Sequence, residues 1–252
     1  MSWSALSRAM LPALVAVPAL ALAGCQKEGE TAPSTPPVVT PQTPGSAIVD
    51  IEADGSGTTA IEVCIEEPDG LVCGRAKGSD AAFKASSDGE AVDLKFQLTG
   101  SGSDDYEAGA FVGALAGDAA GKVISVSWGG EPAFEATLPA PFMITEPAIG
   151  AVFSLATDTI TVKWSPSGEA DIIEWSYSGK CSNGNWTAPG GKEEDTGELV
   201  MPPEGFSNLP PDGCSVTIEM GRRRKGTVDP ATKHEGFISA AQVRTATFTV
   251  KP

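Results

Sequence analysis

The sequence predicts an all-β protein with two tandem β-sandwich domains. Gly (29 residues) and Pro (20 residues) are frequent but not periodic, and short apolar runs lie between turn residues, which is typical of chains rich in strands. Few segments carry apolar residues at the 3.6-residue period of a helix. Removing residues 1–24 from the 252 leaves 228, enough for two domains of about 100 residues that each bury a core.

Residues 1–24 have the composition of a secretory signal. Arg8 is followed by an uncharged apolar run that ends in small residues at Gly24. The run is too short to span a bilayer core of about 30 Å, and Pro12 and Pro18 interrupt it. We therefore expect a cleaved signal peptide rather than a transmembrane helix.

The segment Leu22-Ala23-Gly24-Cys25 resembles the lipid-modification site of bacterial lipoproteins. The resemblance implies that Cys25 becomes the mature N-terminus, carries acyl chains such as palmitate and anchors the protein to a membrane. Gln26, in place of Asp, resembles the outer-membrane sorting choice of organisms with two membranes. The alternative is an ordinary cleaved signal followed by an accidental cysteine.

Residues 25–45 are expected to be this cysteine and a disordered tether. The stretch 26–45 contains five prolines, four threonines and no aromatic residue, so it cannot build a core and favours extended conformations. At about 3.1 Å per residue it reaches at most about 60 Å.

Residues 46–140 are expected to form an acidic β-sandwich domain. Ile61, Val63 and Ile65 alternate with polar residues, which indicates one buried and one solvated face. Strands are expected at Ala47–Ile51, Thr59–Ile65, Val92–Leu98, Tyr106–Val112, Val123–Trp128 and Phe134–Leu138.

Four cysteines besides Cys25 allow three pairings. One bridge per domain, Cys64–Cys73 and Cys181–Cys214, is the economical choice in an exported protein, with free thiols as the alternative. Between the first two cysteines, Glu67-Pro68-Asp69-Gly70 suits a type I turn. A four-residue loop would place Cys64 directly opposite Cys73, whereas a three-residue loop would put the sulfurs on opposite faces.

Leu138-Pro139-Ala140-Pro141-Phe142 marks a stiff boundary, after which residues 141–252 are expected to form a second sandwich. Strands are expected at Phe142–Thr145, Thr159–Trp164, Asp171–Tyr177, Glu198–Met201, Cys214–Met220 and Val243–Val250.

The segments 161–166 (TVKWSP) and 172–177 (IIEWSY) resemble strands B and C of fibronectin type III domains, and Leu209-Pro210-Pro211 resembles the approach to their strand F. The resemblance implies a fibronectin III-like or Ig-like second domain, with Trp164 and Trp175 in its core. The tyrosine expected at the strand F corner is missing. The whole layout resembles uncharacterised secreted lipoproteins of Gram-negative bacteria, which implies an architecture and no activity.

Charge is unevenly distributed. Residues 46–140 hold 17 acidic and 5 basic residues, and residues 141–252 hold 14 and 10. Such acidity disfavours nucleic acid and anionic lipid surfaces, so membrane attachment is expected from the acyl chains. Solubility explains the acidity better than cation binding, because Asp54-Gly55-Ser56-Gly57 and Asp104-Asp105 lack the ligand spacing of a known calcium loop.

The residues of common catalytic and metal sites are missing from the sequence. It has one histidine, His234, and no G-x-S-x-G, H-E-x-x-H or paired C-x-x-C motif. Asp195-Thr196-Gly197 has charged neighbours and no second copy, so it is interpreted as a turn. We expect no enzyme, cofactor or metal; a hydrolase with an unrecognised carboxylate site is the least favoured alternative.

Two features are candidates for binding. Arg222-Arg223-Arg224-Lys225 is the one basic cluster, is expected near the loop between the last two strands, and could hold phosphate or sulfate of lipopolysaccharide or an acidic glycan. A solvated hairpin is the favoured alternative. Trp186, in an Asn/Gly loop just after a cysteine, could stack on a sugar, but capping of the sandwich is favoured. We expect a lipid-anchored binding, adhesion or structural module, with an accessory subunit of an envelope secretion or assembly complex as the alternative.

Overall fold

The computed structural model describes residues 46–66, 73–77, 79–100, 106–168, 171–201, 206 and 209–252. The signal segment, Cys25, the tether, the expected 67–70 turn and Asp104-Asp105 lie outside these residues. Residues Pro44–Pro252 form one compact unit. In the described part of the chain no α-helix occurs, and no helix is long and apolar enough to cross a membrane.

The described residues contain eighteen β-strands, which confirms the all-β prediction. They are β1 (Ser46–Ala53), β2 (Thr58–Glu66), β3 (Cys73–Ala76), β4 (Phe83–Ser87), β5 (Glu90–Asp93), β6 (Lys95–Leu98), β7 (Tyr106–Ala116), β8 (Val123–Trp128), β9 (Glu131–Thr137), β10 (Met143–Glu146), β11 (Val152–Ser154), β12 (Ile160–Ser165), β13 (Ile172–Cys181), β14 (Gly184–Glu194), β15 (Glu198–Met201), β16 (Cys214–Lys225), β17 (Thr227–Val228) and β18 (Glu235–Lys251).

The strands form three sheets. A large sheet has the order β14-β13-β16-β18-β1-β2-β3-β7-β6, with β11 also paired to β18. The two smaller sheets have the orders β17-β9-β8-β4-β5 and β10-β12-β15. Both smaller sheets pack on the same face of the large sheet, so the molecule has two hydrophobic cores.

The first core lies between the large sheet and the five-stranded sheet. Val49 and Val63 from the large sheet are fully buried with Ile124 and Val126 from the smaller sheet. Period-2 alternation produces this face, because every second residue of β1 and β8 points inward.

The second core lies between the large sheet and the three-stranded sheet. Val162 and Trp164 on β12 pack with Ile173, Val216 and Phe248. Here β10, β12 and β15 face β13, β14, β16 and β18. Counted within this half without β11 and β17, strands one, two and five oppose strands three, four, six and seven, as in an Ig-like sandwich with its fourth strand in the second sheet.

The expected boundary near residue 140 separates the two cores but not two independent stretches of chain. Leu138 belongs to the first core and Phe142 to the second. We call residues 222–242 the arm; it comprises the end of β16, β17 and the start of β18. In the arm, β18 pairs in parallel with β1 and β17 pairs with β9, and Ile238 and Ala240 are buried in the first core.

Two local expectations are corrected. The single strand expected at Val92–Leu98 is interrupted at Leu94, which is buried and donates its amide to Phe83 O at 2.9 Å, because the chain passes there from one sheet to another. The Cys64–Cys73 bridge is present, but Cys73 pairs with Glu66. Since Cys64 and Glu66 point to the same face, the bridge runs diagonally across the pair.

Candidate functional site

The basic cluster Arg222-Arg223-Arg224-Lys225 lies on the last four residues of β16 and not in a loop. Alternation along the strand sends Arg222 and Arg224 to the face that carries the cores, and Arg223 and Lys225 to the opposite, outer face. The four side chains therefore have two different surroundings.

Arg222 lies on the core face between the two cores, and its side chain is fully buried. Nε donates to Asp195 Oδ2 at 2.5 Å and Nη1 donates to Ala140 O at 2.8 Å, while Nη2 donates to Pro166 O. The guanidinium carbon lies 5.0 Å from the ring centre of Phe142. We call Arg222 and these partners the waist; they fix the joint at residues 140–142 against both halves.

Asp195 is the partner that makes burial of Arg222 tolerable. Its carboxylate is also fully buried and accepts a hydrogen bond from Trp164 Nε1 at 2.6 Å. A Cβ at Gly168 would lie 2.6 Å from Asp195 Oδ2, so glycine permits the close approach of this loop. The carboxylate of Asp195-Thr196-Gly197 is thus held in an ion pair and is not a free acid or base.

Arg224 holds a second buried carboxylate. Its Nε lies 2.8 Å from Asp171 Oδ1 and its Nη2 lies 3.0 Å from Asp171 Oδ2, the two-point geometry that suits a guanidinium. Asp171 is nearly buried, whereas Arg224 is partly exposed. This pair fastens the start of β13 to β16.

Arg223 lies on the outer face and contacts carboxylates from both halves. Nη1 donates to Asp50 and, at 2.7 Å, to Ser239 Oγ, and Nη2 lies 3.6 Å from Glu52. Nε lies 2.9 Å from Glu174 Oε2, an ion-pair distance without hydrogen-bond alignment. Burial opposes the charge, but Asp50, Glu174 and Glu52 outweigh it and raise the pKa of Arg223.

Three of the four positive charges in the cluster therefore form ion pairs within the protein. Lys225 is exposed and lies 5.6 Å from the ring centre of exposed Phe237, whereas the three arginines are paired with carboxylates. The expected position in a loop and the favoured interpretation as a solvated hairpin are therefore wrong, and anion binding by the cluster stays a prediction. Sequence reasoning missed their acidic partners. The excess of carboxylates was a signal that these arginines are neutralised, but the partners are distant in sequence: Asp195 is 27 residues from Arg222 and Asp50 is 173 from Arg223.

Trp186 lies on β14 and not in the expected loop, in a row of aromatic rings at the edge of the second core. Its ring stacks 5.6 Å from Tyr177 and 5.7 Å from Phe206, and Tyr177 stacks 5.2 Å from Trp175. A Cβ at Gly179 would lie 2.9 Å from the indole, so the ring lies flat on the neighbouring strand. This packing matches the capping alternative; Trp186 and Trp175 keep part of their surface exposed, whereas burial raises the pKa of Tyr177.

The second bridge closes the end of this row. Cys181 ends β13, Cys214 begins β16, and the two residues are direct partners in the sheet, with their Cα atoms 4.4 Å apart. Disulfides persist in oxidising compartments. The two bridges therefore indicate an extracytoplasmic location for the folded protein.

Other candidates offer little for chemistry. Across the described ranges, no group of three or more His, Cys, Asp or Glu side chains is arranged to hold a metal ion. Asp54 Oδ1 accepts the Ser56 amide at 2.9 Å, a local turn contact. One open cleft of about 460 Å³ has an acidic lining; it is formed by Glu193, Glu194, Thr196, Glu198, Leu199 and Val200.

Comparisons with known proteins leave the family open. No known protein family and no curated protein matches the chain. Among solved structures, the full ectodomain (Ig1–Ig3) of mouse nectin-like molecule 4 is similar, with a TM-score of 0.27, 13% identity and coverage of 82% of this chain and 65% of that one. A tri-modular GH5 endo-β-1,4-glucanase from Bacillus licheniformis, complexed with cellotetraose, has a TM-score of 0.28, 11% identity and coverage of 82% and 39%. The chain thus spans under two thirds of either structure.

Proposed function

We propose that the protein is a lipid-anchored, non-enzymatic module of the bacterial cell envelope, attached to the outer membrane through acyl chains on Cys25 and a Pro-rich tether. The anchor rests on Leu22-Ala23-Gly24-Cys25 and the composition of residues 26–45. The module is a structural or binding body that the tether carries.

The proposal of a structural or binding module rests on the continuous large sheet. β18 has 17 residues, which corresponds to about 55 Å of extended chain, and it contributes to both cores. Tandem domains joined by a linker alone would hinge, whereas the shared strand and the buried Arg222–Asp195 pair join the two cores as one body. A stiff body suits a protein that holds a surface at a set distance or bridges two partners.

Lipid labelling in the native host tests the anchor. We expect the wild-type chain to incorporate labelled palmitate and to fractionate with the outer membrane, and Cys25→Ser to lose both. The double variant Cys64→Ser/Cys73→Ser is the matched control, because it removes two cysteines and keeps Cys25. Labelling that survives in Cys25→Ser would overturn the proposal. Proteinase K added to intact cells then reports the side of the membrane: digestion indicates the cell surface and protection indicates the periplasm.

An accessory role in an envelope protein complex is the second candidate, and exposed apolar side chains favour it. Met143 is 70% exposed, Ile149 101% and Val152 57%, and all three lie in the second half. Protein contacts use such side chains when they form one contiguous patch, so this role requires Met143 and Val152 to act together. In-cell crosslinking tests this role: a discrete adduct lost in Met143→Lys/Val152→Lys supports a protein partner, and an adduct pattern equal to wild type argues against contact through these residues.

A further inference from the structure

His234 joins the tip of the arm to the first core. The residue follows β17, and its ring stacks on Trp128 of β8, with the ring centres 3.9 Å apart and the planes 10° from parallel. Trp128 is 6% exposed and belongs to the first core. The contact therefore links the five-stranded sheet to a segment supplied by the other half of the chain.

The stacked pair has two buried ring nitrogens without hydrogen-bond partners in the described structure, Trp128 Nε1 and His234 Nδ1. In the neutral imidazole with its proton on Nε2, Nδ1 carries no hydrogen. Protonation would add a buried N–H group at Nδ1 with no acceptor in the described structure. A buried donor without an acceptor is unfavourable, which favours neutral His234 and opposes the attraction of the indole face for a protonated ring.

The groups around the His234 ring shift its pKa in opposite directions. β9 presents Glu131, which favours the protonated form, and β8 presents the uncharged indole. Lys233 and Glu235 flank the histidine in its own segment. Burial outweighs Glu131 and lowers the pKa of His234 below its ordinary value of 6.5.

Besides the stack, the arm tip is held by Val228, whose side chain packs against the first core, and by a small number of backbone contacts. β17 pairs with β9 over two residues, and the Asp229 amide donates to Ala133 O at 2.9 Å. The rest of the arm is held more firmly, since β18 pairs with β1 along the whole of Ser46–Ala53. A small change in the stacking energy therefore acts on the tip without opening the core strands.

We propose that the His234–Trp128 stack is a pH-sensitive latch, which holds residues 226–234 on the first core when His234 is neutral and releases them when it is protonated. Release uncovers the indole of Trp128 and the β17-facing edge of β9. The rest of the arm and both cores stay in place.

NMR of the compact unit, residues 44–252, tests the latch between pH 4.5 and 8. The chain has one histidine, so its Hε1 resonance is unambiguous. We expect His234 to titrate below 6.5, and the Trp128 indole resonance to shift with the same midpoint. As the pH falls from 8 to 4.5, the protection of the Asp229 amide against hydrogen exchange, corrected for intrinsic exchange, should fall by roughly tenfold. The protection of the Ile51 amide in β1 should stay constant.

Two variants separate a latch from passive packing. His234→Phe keeps an aromatic ring that cannot titrate, so the pH dependence of Asp229 protection should disappear. Glu131→Gln removes the charge that favours protonation, so the midpoint of His234 should move further down. The latch is wrong if His234 titrates at 6.5 or above, if Asp229 protection does not follow the titration, or if His234→Phe keeps the pH dependence.

Discussion

The two cores are built in different ways. The second core takes its buried residues from positions 142–250, all within one half of the chain. The first core takes most of its residues from positions 47–138 but is completed by Ile238 and Ala240, which arrive on the arm more than 90 residues later. The position of a residue along the chain therefore does not decide which core it joins. We expect the first half to need the second half for folding more than the second half needs the first.

Cutting the chain at the boundary gives the largest expected effect. A fragment of residues 46–140 lacks the arm, so β1 loses its parallel partner and the first core is open along one side. We expect it to remain unfolded, whereas residues 141–252 should unfold cooperatively in a thermal scan followed by circular dichroism. Adding the second fragment to the first should restore dispersed amide resonances in the first. Cooperative unfolding of 46–140 alone would show that the arm is dispensable.

Substitution of Arg222 in the waist gives the next largest expected effect, because it should uncouple the two cores. Arg222→Met leaves the buried Asp195 carboxylate without its cation, which costs about 3–5 kcal/mol in similar cases. We expect urea unfolding to show this loss, and calorimetry to show two transitions in place of one as the cores uncouple. Lys84→Met is the matched control, because the two side chains of the Lys84–Asp93 pair are 56% and 65% exposed and exposed pairs contribute little to stability.

The double variant Arg222→Met/Asp195→Leu sharpens this test. Apolar replacement of a buried ion pair is often close to neutral, so the double variant should recover stability relative to Arg222→Met. If it is no more stable than the single variant, then the loss of the contacts of Arg222 with Ala140 and Pro166 and of the Trp164 Nε1 hydrogen bond to Asp195 costs at least as much as the unpaired carboxylate.

The parts of the fold that could be predicted are those in which apolar residues alternate on one strand. β2, β8 and β12 carry this pattern and occur within a residue or two of their expected bounds. β14 shows the pattern only at Trp186 and Ala188, which pack on the second core, and glycine and charged residues fill much of the rest of its sequence; it forms as an edge strand on β13.

The arm could not be predicted for a related reason. Arg222 stands where alternation calls for an apolar residue, and its partner Asp195 follows another strand of the fold. Recognising β16 as a strand through Lys225 requires that pairing to be known. The surroundings of the basic cluster could not be predicted for the same reason. A run of four basic residues indicates a solvated surface, and only the fold brings three of them into ion pairs with carboxylates that are distant in the sequence.

Removing one disulfide at a time compares the two cores through an effect on stability of intermediate size. The bridges close separations of 9 residues in the first half and 33 in the second. On the chain-entropy model these contribute about 2.6 and about 3.7 kcal/mol. We therefore expect Cys181→Ala/Cys214→Ala to lose about 1 kcal/mol more than Cys64→Ala/Cys73→Ala in urea unfolding. Equal losses would show that residual structure in the unfolded chain cancels the difference in loop length.

The smallest effect concerns two carboxylates on the outer face. Glu62 lies opposite Asp50 in the β1–β2 pair, and burial, followed by the charge of Asp50, raises its pKa. Glu174 faces Arg223 from the other half of the molecule. The first carboxylate is disfavoured in its charged form, and the second forms an ion pair.

These two sites should respond in opposite directions to the same substitution. Because the pKa of Glu62 is higher in the folded state, ionised Glu62 lowers stability at neutral pH, and the loss disappears as the pH falls through the folded pKa towards its ordinary value of 4.5. Glu62→Gln should therefore stabilise the protein at pH 7.5 and change little at pH 4. The gain should be roughly a few tenths of a kcal/mol, since the side chain is only partly buried and the water in contact with it screens the charge. Glu174→Gln should destabilise the protein at pH 7.5, because Arg223 loses a partner. Urea unfolding of both variants at both pH values measures the difference, and a stability loss in Glu62→Gln at pH 7.5 would show that ionised Glu62 stabilises the folded protein, contrary to this prediction.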